Sequence, residues 1–106
     1  GKKELARLKI MMYSMRGDAE QRRRHKEQLE DGIAASRDRR RELEEEFQRV
    51  ERDRRVCIAA HRHQEASRLK LKLDRLRTDF ENLRAEEEHN FAKVEVIEQE
   101  LAGAAE

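Results

Sequence analysis

Residues 66–101 read ASRLKLKLDRLRTDFENLRAEEEHNFAKVEVIEQEL, and the spacing of their apolar residues decides the fold. With Ala66 at position a of a heptad, nine of the eleven a and d positions through Leu101 are apolar. Charged residues occupy most of the other positions. Apolar residues that recur in this way predict a helix that pairs with another helix along one narrow face.

A weaker pattern of the same kind covers the earlier part of the chain. With Leu5 at position a, eleven of sixteen a and d positions through Cys57 are apolar. We expect the apolar side chains of both patterns to form the seam of a dimer. These predicted seam residues are Leu5, Leu8, Met12, Met15, Leu29, Ile33, Leu43, Phe47, Val50, Leu69, Leu73, Leu76, Phe80, Leu83, Val94, Ile97 and Leu101.

The two patterns are out of phase, which divides the chain into parts. We assign a first coiled-coil run to 1–57, a weak seam with a register shift to 58–65, a second run to 66–101 and a frayed end to 102–106.

Two structures would accommodate the phase change. Phe47, Ile58, Leu69 and Phe80 are spaced by eleven residues, and an eleven-residue repeat lets one helix continue with less supercoil. The alternative is a break or a helical hairpin near Arg55–Glu65. Because neither Gly nor Pro occurs in that stretch, we predict an all-α fold with one long continuous helix, about 150 Å in length at 1.5 Å per residue.

The charges beside the seam favour a parallel homodimer. In a parallel pair, position g faces position e five residues later on the partner, so Glu4 would face Lys9. Counted over both runs, six such pairs are attractive and two are repulsive, Lys72 with Arg77 among the latter. Asn90 at a d position is a weaker indication of fixed register, since the usual place for such an Asn is a. A heterodimer with another chain stays open.

Composition argues against an enzyme. Charged residues make up 46 % of the 106 residues and hydrophobic residues 36 %, with one Tyr, three Phe, no Trp and no Pro. This is the composition of a long helix or coiled coil, and few Gly and no Pro leave no loops to hold a catalytic site. We expect no catalytic residues and no cofactor.

The same sequence predicts an intracellular protein. The longest apolar run, residues 10–13, is too short to cross a bilayer, and a single Cys forms no internal disulfide. Ile10, Met11 and Tyr13 lie off the seam, where they either dock a further chain segment or are ordinary exposed residues. The expected location is the cytoplasm and cytoskeleton, or the nucleus at a kinetochore.

A metal site is the weaker interpretation of the one cysteine. Cys57 and His61 are four residues apart and so share a helix face, and His63 is close by. Zinc sites usually contain two ligand pairs and a loop, which this stretch lacks. We interpret Cys57 as a small seam residue and predict no metal.

Charge is distributed in blocks. Residues 1–41 carry a net charge of +6, 42–53 carry −4, 54–77 carry +6 and 78–106 carry −7. Basic surfaces attract acidic polymers such as tubulin tails, and non-specific nucleic acid binding is a weaker expectation; membrane binding is not expected. The predicted partner-binding residues are Arg22, Arg23, Arg24, Lys26, Arg37, Arg39, Arg40, Arg41, Arg68, Lys70, Lys72, Arg75 and Arg77.

In overall character the chain resembles the polar coiled coils of cytoskeletal, centriolar, flagellar and kinetochore proteins. The basic clusters Arg37–Arg41 and Arg68–Arg77, the broken register and the excess of Arg over Lys resemble most the coiled-coil region of a kinetoplastid microtubule-binding kinetochore protein. That resemblance implies microtubule binding through basic side chains.

Two functions follow as hypotheses. The first is a dimeric coiled coil whose basic blocks bind an acidic filament such as a microtubule. The second is a purely structural dimerisation spacer without direct contact to a filament or to nucleic acid.

Overall fold

The computed structural model of the chain is entirely helical and describes residues 1–105, with side chains through residue 103. Helix α1 spans Lys2–Ala59 and helix α2 spans His63–Ala105. The predicted all-α class is confirmed. No helix within residues 1–105 is both long enough and apolar enough to span a membrane. The predicted frayed end at 102–106 lies partly outside the described residues, since α2 extends to Ala105 and Glu106 is not described.

The prediction of one continuous helix is wrong, because α1 ends two residues before His61. His61 adopts a left-handed backbone conformation with φ of 60°. The amide of Arg62 donates a hydrogen bond to the carbonyl of Cys57 at 2.8 Å, and the amide of His61 donates one to the carbonyl of Ile58 at 3.1 Å. These two bonds form a Schellman motif, which satisfies carbonyls that a helix end leaves without partners. The alternative hairpin near Arg55–Glu65 is therefore the arrangement observed.

The left-handed residue of this motif gives a first testable prediction. Glycine adopts positive φ without a Cβ clash, so His61→Gly should raise the free energy of unfolding by about 0.5 kcal/mol, after its greater freedom in the unfolded chain is subtracted. His61→Val should lower it by about 1–2 kcal/mol, because a β-branched side chain is strained there. Urea denaturation measures both changes. His63→Gly is the control and should destabilise, since His63 begins α2 with an ordinary φ. Stabilisation by both glycines would contradict the role of His61.

Contacts divide the chain into two compact units. The turn unit is Ile33–His89, and the terminal unit is Gly1–Gly32 together with Asn90–Glu106. In each unit, a segment of α1 packs against a segment of α2.

The turn unit is an antiparallel helical hairpin around a narrow apolar core. Leu43, Val50, Leu73 and Leu76 are buried in one cluster. Phe47, Leu69 and Leu83 are partly buried and pack against it. All seven occupy a or d positions in the sequence, so the apolar stripes of the two helices cover one another. Burial of such side chains supplies about 1.5–3 kcal/mol each, which is the main force that holds two amphipathic helices together.

The terminal unit has a smaller apolar contact. Val94 and Ile97 of α2 are buried, and Leu29 and Leu101 are half-buried. Residues 2–18 of α1 are exposed throughout.

Candidate functional site

Ion pairs between the helices use several of the predicted partner-binding residues in the terminal unit. Arg22 Nε donates to Glu100 Oε2 at 2.7 Å, and Lys26 Nζ lies 3.3 Å from Glu98 Oε1. Arg22 and Lys26 occupy seam positions and are about 40 % and 29 % exposed. Their long side chains reach past the seam to carboxylates at its edge. Both charges are therefore partly neutralised within the chain.

A more buried cluster occurs in the turn unit. Glu87 is buried, and Arg37 Nε and Arg40 Nη2 donate to its Oε1 at 3.2 and 3.3 Å. Arg40 Nε is also 3.0 Å from Oε2 of Glu87, although the geometry there is that of an ion pair without a hydrogen bond. A buried carboxylate needs such partners, because its desolvation is costly. This cluster is best described as part of the helix contact.

Two arginines of the turn unit also cover aromatic rings. The guanidinium of Arg40 is 5.6 Å from the ring centroid of Phe80, and that of Arg77 is 5.7 Å from the ring centroid of Phe47. Cation–π contacts of this kind contribute about 0.5–1 kcal/mol at exposed sites. They attach one further predicted binding residue, Arg77, to the hairpin and give Arg40 a second contact.

The remaining predicted partner-binding residues form ion pairs on exposed or partly exposed side chains, or form none. Arg24 pairs with Glu20 at 3.4 Å and Arg39 pairs with Glu42 at 3.2 Å, both within α1 and on exposed side chains. Arg23, Arg41, Arg68, Lys70 and Arg75 are exposed and have no ion pair within 4.0 Å among the described residues. Lys72 is 3.4 Å from Glu46 of α1.

The turn falls inside a basic block of the sequence, and this concentrates positive charge at one end of the turn unit. Residues 54–72, which we name the basic turn end, contain six Arg and Lys residues and a single Glu, for a net charge of +5. The rest of the unit has a net charge of −4, from −1 over 33–53 and −3 over 73–89. One end of the hairpin is therefore positive and the remainder is negative.

The basic turn end is open to solvent. Arg68 and Lys70 are exposed, and two apolar side chains of the basic turn end, Val56 and Leu71, are 68 % and 62 % exposed. Arg54 is only half-buried, but its Nε is buried without a hydrogen-bond partner. This surface combines cationic groups with apolar area.

No metal site is found among the described residues, since no group of three or more His, Cys, Asp and Glu side chains converges there. Cys57 is buried in the seam. His61 and His63 are exposed, with ring centroids 6.0 Å apart.

No protein-family model matches this chain, and the comparisons with curated proteins and with solved structures give no match either.

The structure places the predicted seam residues in three groups. Seven are buried: Ile33, Leu43, Val50, Leu73, Leu76, Val94 and Ile97. Six are half-buried: Leu29, Phe47, Leu69, Phe80, Leu83 and Leu101. Four, all near the start of α1, are exposed: Leu5, Leu8, Met12 and Met15.

Sequence reasoning missed the acidic partners of the basic residues. Glu87 breaks the apolar pattern of the second run, as Arg40 breaks that of the first. In the hairpin these two exceptions meet. The signal was present, because interior positions of opposite charge lie at similar distances on either side of His61. The pairing of Arg40 with Glu87 can be recognised only once the chain is known to fold back at His61.

Proposed function

We propose that this chain is a coiled-coil interaction module of a cytoskeletal or kinetochore protein, and that its basic turn end binds an acidic filament, a microtubule in the first instance. The observation that carries the proposal is the net charge of +5 over residues 54–72 beside a remainder of the unit at −4. Such an asymmetric charge attracts and orients an acidic polymer. The proposed location is intracellular, at the cytoskeleton or the kinetochore.

Within the basic turn end, Arg68 and Lys70 are the residues proposed to contact the filament. Both are exposed and lie outside the helix contact. The basic residues Arg22, Lys26 and Arg40 are assigned a different role, since carboxylates of the same chain already neutralise them. Acidic carboxy-terminal tails of tubulin would supply the complementary charge, and Leu71 would add apolar contact.

Charge reversal tests this proposal. The double variant Arg68→Glu, Lys70→Glu should weaken co-sedimentation with microtubules about tenfold, because each lost contact and each new repulsion contributes up to about 1 kcal/mol. Thermal unfolding should change little, since both side chains are exposed. Binding should also weaken as salt rises, because the Debye length falls from about 10 Å at 0.1 M to about 3 Å at 1 M.

The control is the double variant Arg23→Glu, Arg41→Glu, which changes the net charge by the same amount at two other exposed arginines. It should bind nearly as well as the unmodified chain. Equal losses in both variants would mean that binding follows total charge and not the basic turn end. Microtubules with their tails cleaved should bind less than intact ones, and equal binding to both would contradict recognition of the tails.

A structural spacer is the second candidate, and the interhelical ion pairs favour it. Lys26 with Glu98 and Lys72 with Glu46 show that oppositely charged residues serve the contact between helices. A chain used only for spacing would need no free basic surface. Absence of co-sedimentation even at low salt would favour this candidate over filament binding.

A further inference from the structure

Residues 2–18 of α1 present an apolar face that nothing covers among the described residues. Leu5, Leu8, Met12 and Met15 are 56–60 % exposed, although they occupy consecutive a and d positions. The next seam positions of α1, which are Ala19, Arg22, Lys26 and Leu29, are half-buried. Contiguous exposed apolar surface of this kind marks an interaction site.

Helix α2 runs antiparallel to α1 in the terminal unit and does not cover this face within the described residues. Arg22 pairs with Glu100 and Lys26 pairs with Glu98, so the last part of α2 lies beside residues of α1 that follow Asp18. Residues 2–18 are exposed throughout.

We propose that residues 2–18 of α1, here named the N-terminal face, bind the same face of a second copy of this chain as a parallel, in-register coiled coil. The inference is independent of the basic turn end, which lies in the other unit. Each copy keeps its own contact between α1 and α2 and adds a short seam formed by the four exposed residues. The seam of α1 thus serves two partners in succession, first another chain and then its own α2.

The charges beside the N-terminal face identify the occupant and its direction. In a parallel pair, Glu4 at position g faces Lys9 at position e of the partner, which is attractive. In an antiparallel pair, like positions face each other: Lys2 would face Arg16, Lys9 would face Lys9, and Glu4 would face Asp18. All three of these contacts are repulsive. The parallel arrangement is therefore the one that the charges stabilise.

The seam is short, which sets the expected strength. Two heptads bury little apolar surface, so this seam contributes little free energy of association. The association should consequently be reversible and depend on concentration, with the hairpin contacts unaffected by it.

Sedimentation equilibrium of the 106-residue chain, over a wide concentration range, tests the proposal. The unmodified chain should populate a dimer that Leu8→Lys weakens at least tenfold, because the change puts a charge on the seam in both copies. Ile10→Lys is the matched control, since it adds the same charge in the same segment but off the seam, and it should leave the association nearly unchanged. Thermal unfolding at low concentration should be similar for both variants, since both residues are exposed.

A charge variant distinguishes the two directions. Glu4→Lys should weaken a parallel dimer, because it faces Lys9, and Glu4→Lys with Lys9→Glu should restore it. In an antiparallel dimer Glu4→Lys would strengthen association instead, since it replaces the repulsion between Glu4 and Asp18 with an attraction. Strengthening would overturn the proposed orientation.

Two outcomes would overturn the second copy as occupant. One is a chain that stays monomeric at every concentration. The other is a monomeric chain that binds anionic phospholipid vesicles and loses that binding on Leu8→Lys, which would assign the face to a lipid surface. Equal weakening by Leu8→Lys and Ile10→Lys would show that the association does not use the seam.

Discussion

Replacing Leu43 with alanine should lower the free energy of unfolding by about 3 kcal/mol. Leu43 is 3 % exposed and belongs to the apolar cluster with Val50, Leu73 and Leu76. Truncation removes apolar surface from the contact between α1 and α2 and leaves a cavity that rigid neighbours fill only in part; Leu→Ala changes in such positions cost about 2–5 kcal/mol. We expect a value in the lower half of that range, because a two-helix contact relaxes more easily than a closed core.

Urea denaturation followed by circular dichroism measures this loss. Leu71→Ala is the matched control, because it deletes the same atoms from a side chain that is 62 % exposed in the same unit. It should change the free energy of unfolding by less than about 0.5 kcal/mol. Equal costs at the two positions would contradict the hairpin packing. Both measurements belong at one low protein concentration, because any self-association would add its own stabilisation.

Replacing Glu87 with alanine should lower the free energy of unfolding by about 2 kcal/mol. The Glu87 side chain is 10 % exposed and holds Arg37 and Arg40. Removal of one partner from a buried ion pair costs about 3–5 kcal/mol when the other charge stays buried. Here the arginines are 59 % and 31 % exposed, so water solvates them in part and the expected cost is smaller.

A double variant separates the lost ion pair from the lost packing. Replacement of both Glu87 and Arg40 with leucine should recover most of the stability, because apolar residues of similar volume often replace a buried pair without loss. Glu88→Ala is the control, since that side chain is 73 % exposed and lies 3.7 Å from Arg84, and it should cost less than about 0.5 kcal/mol. A double variant no more stable than Glu87→Ala would show that the charges themselves are required.

The helices were predictable because they depend on local sequence. Heptads such as the one beginning at Ala66 predict both a helix and the face that it buries. Residues close together in the sequence define this apolar stripe, so no knowledge of distant contacts is required. The basic blocks were predictable for the same reason. Composition alone gave the expectation of an all-α fold.

The turn was harder to predict, because its physical basis is one unusual backbone conformation. Gly and Pro are the usual signals of a turn, and Ala60–Arg62 contains neither. His is nevertheless among the non-glycine residues that are enriched at positive φ. His61 ends α1 at φ of 60°, and two backbone hydrogen bonds hold the reversal. Nothing in the periodicity distinguishes this end from a phase shift in a continuous helix.

The proposed binding surface depends on that turn. Sequence alone ranked Arg22, Arg40 and Arg68 together as members of basic blocks. Once the chain reverses, Arg22 and Arg40 meet carboxylates of α2, while Arg68 stays exposed at the positive end of the hairpin. Whether a basic side chain stays free depends on which carboxylates of the other helix lie next to it. That depends on the fold and not on the neighbouring sequence.

By itself, then, the sequence determined that this protein is helical, which face of each helix is apolar and where its charges lie. Only the tertiary structure decided that the stripes of α1 and α2 cover each other, that Glu87 meets Arg37 and Arg40, and that Leu5 and Leu8 stay exposed. The physical reason is that an apolar stripe requires a partner helix but does not specify which one. The reversal at His61 brings α2 alongside α1 at no cost in association entropy, and the charges then align along the resulting contact.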